Sequence, residues 1–216
     1  MNLKLISALA AAGLLSAAPA FSATVTLDFE GASSFQSLDN FYNGGTDTGG
    51  ASGADYGISF GLDAQALSNT LDETFYSNAP SPGTVLTFVG AESAASTALN
   101  ATEGRTLASG LSFFYSLSEA ATITVWSGLN GTGSLLASLT LDPNATNGGC
   151  VDSAYCFWGA ASLTWDGFAQ SVQFGDAAFK GGFDDVTVSA VPLPAAGWLL
   201  MSALGGIGAW RRKRAA

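Results

Sequence analysis

The sequence predicts an all-β fold, a two-sheet antiparallel β-sandwich of jelly-roll type, and three observations carry that expectation. Nine short segments between residues 24 and 190 alternate apolar with polar residues or concentrate β-branched and aromatic ones. Clusters of Gly, Asn and Ser separate them. Apolar repeats at helical spacing are nearly absent. The first segment, 24–30 (TVTLDFE), puts Val25, Leu27 and Phe29 on one face and Thr26, Asp28 and Glu30 on the other. Residues 57–62 (GISFGL) and 84–90 (TVLTFVG) are the next two. Segments 111–117 (LSFFYSL), 122–126 (TITVW) and 134–141 (SLLASLTL) follow, and the turn NGTG at 130–133 closes a hairpin between the last pair. Residues 161–165, 171–175 and 183–189 (FDDVTVS) complete the set. The stretch 39–53, rich in glycine, is expected as a long loop. The one place for a short helix is 91–106, against its Ser and Thr content.

The two ends of the chain are of a different kind. At the N-terminus Lys4 precedes an apolar core over 5–15 and a run of small residues, the layout of a secretory signal peptide over 1–23. Cleavage is expected between Ala20 and Thr24. At the C-terminus, residues 191–216 hold a proline-bearing motif, an uncharged stretch from Ala195 to Trp210, and the cations Arg211, Arg212, Lys213 and Arg214. As a helix rising about 1.5 Å per residue the uncharged stretch covers roughly 24 Å, close to a hydrocarbon core of about 30 Å. Trp198 and Trp210 stand near its ends, where amphipathic rings favour the membrane interface. The basic cluster acts as a stop-transfer signal and keeps the C-terminus cytoplasmic. The domain between is therefore expected over 24–190.

The tail resembles the PEP-CTERM class of bacterial sorting signals, in the variant beginning VPLPA, matched by Val191, Pro192, Leu193, Pro194 and Ala195. The resemblance implies an exosortase-like transpeptidase as processing partner and an association with exopolysaccharide or biofilm. The localisation it implies runs through a single-pass membrane precursor to the cell envelope, surface or extracellular matrix. The segments 27–31 (LDFEG), 41–61, 125–141 and 174–188 resemble exported domains that commonly precede such tails. They carry no accepted catalytic motif.

Charge narrows the chemistry. Between 24 and 190 the only cations are Arg105 and Lys180, against all 17 acids, which leaves this region at −15. A domain this acidic is not expected to bind nucleic acid or anionic lipid through charge. Histidine is absent, which removes the commonest general base and zinc ligand. Cys150 and Cys156, six apart in a glycine-rich loop of an exported protein, are expected to form a local disulfide.

Three readings of the remaining residues stand side by side. Asp28 and Glu30 on the first strand, with Asp184 and Asp185 on the last, are similar to the acids that share a structural calcium in jelly-roll carbohydrate-binding modules. The other account of Asp184 is a turn cap after Gly181 and Gly182. Asp47 and Asp55 match no calcium-loop spacing. Tyr42, Trp126, Tyr155, Trp158 and Trp165 are aromatic candidates for stacking on a glycan. Tyr155 and Trp158, beside the expected disulfide, are the first suspects for ligand contact. A glycan-acting hydrolase would need only two carboxylates, a pattern with almost no specificity among 17 acids. The expected function is a non-enzymatic structural or adhesive matrix protein, with a calcium-stabilised lectin-like module as the alternative.

Overall fold

The computed structural model describes residues 23–192 except 70–74, 82, 92, 103, 151 and 152. The signal segment over 1–22, the span from Ala195 to Trp210, the motif residues Leu193, Pro194 and Ala195, and the cluster Arg211, Arg212, Lys213 and Arg214 lie outside the described residues. No helix among the described residues is long and apolar enough to cross a membrane.

The fold is all-β, with two antiparallel sheets. Twelve strands are described: β1 (Ala23–Leu27), β2 (Gln36–Ser37), β3 (Ile58–Phe60), β4 (Ala64–Ser68), β5 (Thr84–Phe88), β6 (Ala98–Ala101), β7 (Arg105–Leu117), β8 (Ala121–Trp126), β9 (Leu135–Leu141), β10 (Gly159–Leu163), β11 (Ser171–Gln173) and β12 (Gly181–Pro192). The seven-stranded sheet runs β10-β7-β12-β5-β4-β2, with β1 also paired to β12, and the five-stranded sheet runs β3-β6-β11-β8-β9. β7 lies along one edge of β12. The other edge is shared end to end by β5, opposite Gly182 and Phe183, and β1, opposite Val186 to Ala190.

One hydrophobic cluster draws on both sheets. Phe88, Phe113 and Phe183 from the first sheet meet Leu99, Ile123, Val125 and Val172 from the second. Phe174, directly after β11, sits among them: its ring centroid is 5.2 Å from Phe88, 5.0 Å from Phe183 and 6.2 Å from Phe113. Phe88 stacks on Phe174 and the other two rings meet it edge-to-face, and aromatic pairs of these kinds add roughly 0.5–1.5 kcal/mol each to area burial. A second, smaller cluster covers the opposite face of the first sheet. There Leu67 and Val85 lie beneath Tyr76, with Tyr155 and Trp158 packed against it. Gly182 makes this possible, because a Cβ at that position would press into the Tyr76 ring at 2.9 Å. Beyond this cover the outer face carries paired hydroxyls, Thr24 with Ser189 and Thr26 with Thr187, each at 2.8 Å.

All nine expected segments contain a strand, and β8 and β9 form the expected hairpin, with the 3₁₀ turn Leu129–Gly131 in the connection. Three expectations change. Among its described residues the region 91–106 holds no helix: it contributes β6, all four of its residues buried, and the start of β7. β2 and β4 lie where no strand was expected. In β4 the buried Ala64 and Ala66 alternate with half-exposed Gln65, so tertiary burial overrides the weak strand preference of alanine. The last strand also passes the expected boundary at 190, since Val191 pairs with Thr106 and Pro192 with Arg105.

Candidate functional site

A cluster of acids lies where the end of β1 meets the bulge of β12. β1 stops at Leu27 and the chain turns through Phe29, whose φ of 61° is left-handed although it is not glycine. β12 carries a bulge between Asp184 and Thr187, and Asp185 in that bulge has φ 49°. Two residues in a region that side chains seldom occupy thus stand here, one just past the end of β1 and one in the bulge of β12, at a local cost of about 1–3 kcal/mol each. The bulge also resets the alternation of β12. Phe183 faces the core, Asp184 faces the other way, and Val186 and Val188 return to the core. Asp184 therefore does not share a face with Val186 and Val188, as simple alternation implied. It is nevertheless fully buried, under the turn that precedes β5.

Ser81 in that turn ties the acids together. Its backbone N–H donates to Asp184 Oδ2 at 2.8 Å, and its hydroxyl lies 2.8 Å from Asp184 Oδ1 and 3.2 Å from Glu30 Oε1. The Asp185 N–H also donates to Asp184 Oδ1 at 2.8 Å. Glu30 Oε1 accepts from the N–H groups of Gly83 and Thr84, both at 2.8 Å. Asp184 does not cap a turn after Gly181 and Gly182, which lie in β12 paired with Leu117 and Ser116; its observed partners are the N–H and hydroxyl of Ser81 and the Asp185 N–H. Ser81, from a turn 103 residues away, had no sequence signal as a partner.

Electrostatically the cluster is crowded. Burial pushes the Asp184 carboxyl up to about 6, against the opposing pull of its Ser81 and Asp185 donors. Asp185 is also raised, by burial and then by the charge of Asp28. Burial and Asp28 raise the phenol of Tyr42, whose oxygen accepts the Phe29 N–H at 2.8 Å. The ion pair found among the described residues, Lys180 with Asp176, lies elsewhere.

These positions test the fit of a calcium ion. Asp184 and one oxygen of Glu30 already face N–H and O–H donors, and Asp28 Oδ1 accepts the Glu30 N–H at 3.2 Å. Among the described residues no three acids or cysteines stand close enough together to hold a metal. The loop acids have structural partners. Burial would raise Asp47, but N–H groups of Ser33 (2.6 Å) and Ala51 (2.8 Å), with the Ser33 hydroxyl, hold it below the usual carboxylate range. Asp55 accepts the Gly57 N–H at 3.0 Å.

Cys150 and Cys156 form the expected disulfide, with Cα atoms 5.7 Å apart. Tyr155 and Trp158 lie beside it in the chain, both half-buried, with their rings packed on Tyr76. Their rings lie 5.0 and 5.7 Å from Tyr76, and the indole N–H of Trp158 donates to the Ser77 carbonyl at 3.0 Å. Their observed contacts roof the smaller cluster. Tyr42 and Trp165 belong to the main core, which leaves Trp126 as the outward-facing member of the aromatic set.

The molecule is thus an acidic all-β domain whose first and last strands meet over a buried carboxylate. Comparison with known protein families, curated proteins and solved structures finds no match for the chain.

Proposed function

We propose that this chain is a non-enzymatic, exported protein of the cell surface or extracellular matrix, built as a jelly-roll-like sandwich and sorted through its C-terminal signal by an exosortase-like transpeptidase. Its mature domain serves a structural or adhesive role. The supporting observation is the continuity of β12 with the motif. The ladder runs through Val191 and Pro192, so no linker parts the last strand from the VPLPA segment. A domain delivered in this way is held by a strand inside its larger sheet. Fractionation of the producing cells tests the reading. The native chain is expected at the surface or in the matrix at a mass lacking the tail. A variant without residues 211–214 is expected in the membrane fraction at higher mass. Identical distribution and mass of the two would refute tail-directed sorting.

A second reading, a calcium-stabilised carbohydrate-binding module, draws on the mutual repulsion of Asp28 and Asp185, which a divalent cation would relieve. Under it, calcium at 100 times its dissociation constant adds about 2.7 kcal/mol to stability. The measurement is the thermal midpoint in EDTA and then in millimolar calcium. An unchanged midpoint rules out a stabilising calcium site.

A further inference from the structure

We propose that the outer face of the five-stranded sheet carries a binding groove for a neutral polysaccharide, with the Trp126 indole as its stacking platform. β8 alternates strictly: Ala121, Ile123 and Val125 are buried in the core, whereas Thr122, Thr124 and Trp126 are half-buried and point outward. Trp126 belongs to neither hydrophobic cluster, unlike Trp165 in the core and Trp158 in the smaller cluster. A groove of about 340 Å³ runs past it, lined chiefly by Ala94, Thr122, Thr124, Gln173 and Asp176. That volume falls at the lower end of small-ligand sites, roughly 300–1,000 Å³.

The groove is preformed. The Trp126 N–H donates to Thr124 Oγ1 at 2.9 Å, which fixes the plane of the indole. Gln173, opposite Thr124 in the ladder, is held at both ends: its amide N–H donates to the Ala94 carbonyl, and its oxygen accepts from the Thr97 hydroxyl at 3.1 Å. Asp176 accepts the Thr122 N–H at 3.0 Å and pairs with Lys180 at 3.2 Å. Fixed side chains lower the entropy lost on binding.

Charge selects the occupant. The −15 region disfavours an anion, and a cation finds the carboxylate at the rim already paired with Lys180. What remains is a neutral ligand with one apolar face and hydroxyls around its edge. A sugar ring has that form: its C–H face lies on the indole, and its hydroxyls meet the Thr122 and Thr124 hydroxyls at the rim. The groove is open, so a chain of sugars can continue through it.

The inference rests on the adhesive reading above, and its test is separate. The full chain is run through native gels containing dextran, a mixed-linkage β-glucan or a galactomannan, with alginate as the acidic comparison. At least one neutral polymer is expected to retard it. Trp126→Ala should weaken that retardation about tenfold or more. Ala94→Arg, which fills the groove from an exposed position, should do the same with an unchanged melting temperature. Phe35→Ala, at an exposed ring outside the groove, should behave like the native chain. Retardation by none of the neutral polymers, by alginate alone, or equally in Trp126→Ala and Ala94→Arg would overturn the assignment. Surface location without retardation rejects the groove alone, and retardation without surface location rejects the sorting reading alone.

Discussion

Asp184→Ala is expected to destabilise the domain by about 2–4 kcal/mol at neutral pH. The carboxylate is fully buried and accepts three hydrogen bonds. Its removal strands the N–H groups of Ser81 and Asp185, whereas the Ser81 hydroxyl can still reach Glu30 and the Asp28 carbonyl. Hydrogen bonds to a charged group contribute roughly 1.5–3 kcal/mol each, and relief of the buried charge offsets part of their loss. The pH dependence follows from the same burial. The folded-state value of about 6 lies above the ordinary 3.8. Between those values the folded chain holds a proton that the unfolded chain has released. This group's contribution therefore rises as pH falls from 7 toward 4, by up to roughly 3 kcal/mol, and declines as pH rises through 6. Asp28, Glu30 and Asp185 surround it, so the measurement compares urea unfolding of the native chain and Asp184→Asn at pH 7 and pH 5. The native chain should gain more stability on acidification than the variant. An equal gain would show that Asp184 does not titrate in this range.

Gly181→Ala is expected to cost more than about 3 kcal/mol. Gly181 has φ 154°, and a Cβ there would stand against the Ser116 carbonyl oxygen, closer than unbonded atoms approach, and within 3.0 Å of Leu117 Cα. Both obstacles are backbone of β7, so no rotamer change relieves them. Gly181 also begins the pairing of β12 with Leu117, and its carbonyl accepts from the Thr87 hydroxyl at 3.0 Å. Gly182→Ala, whose nearest obstacle is the Tyr76 side chain and not backbone, should cost less, about 1–2 kcal/mol. Urea midpoints of the two variants provide the check. If Gly182→Ala is the more damaging, the clash with β7 is not the controlling contact.

What the sequence revealed depended on where the information lay. The alternation in TITVW and in LSFFYSL is local, so β8 and the end of β7 could be placed, and with them the outward face that carries Trp126. The segments AQALS and ALNA have no such pattern; β4 and β6 are strands because their alanines are buried between neighbours brought from elsewhere in the chain. The importance of Asp184 was visible in its position beside an apolar strand, but its surroundings were not. The bulge is made by Asp185, a residue with no special turn preference over its neighbour, and the partner at Ser81 comes from a distant turn. Tyr155 and Trp158 show the same limit. Their proximity to the disulfide was legible, whereas their packing on Tyr76 required the fold.

The place of β12 in the larger sheet has a mechanical consequence. Its register with β7 extends from Gly181 to Pro192, and the chain leaves from its C-terminal end. A pull on that end, with the rest of the domain held elsewhere, acts along the strand and nearly perpendicular to its hydrogen bonds. The bonds of the ladder then share the load in shear and do not open one at a time. β1 adds a second row beside Val186 to Ala190. A domain tethered through this strand would resist traction best along the direction in which its own tail pulls.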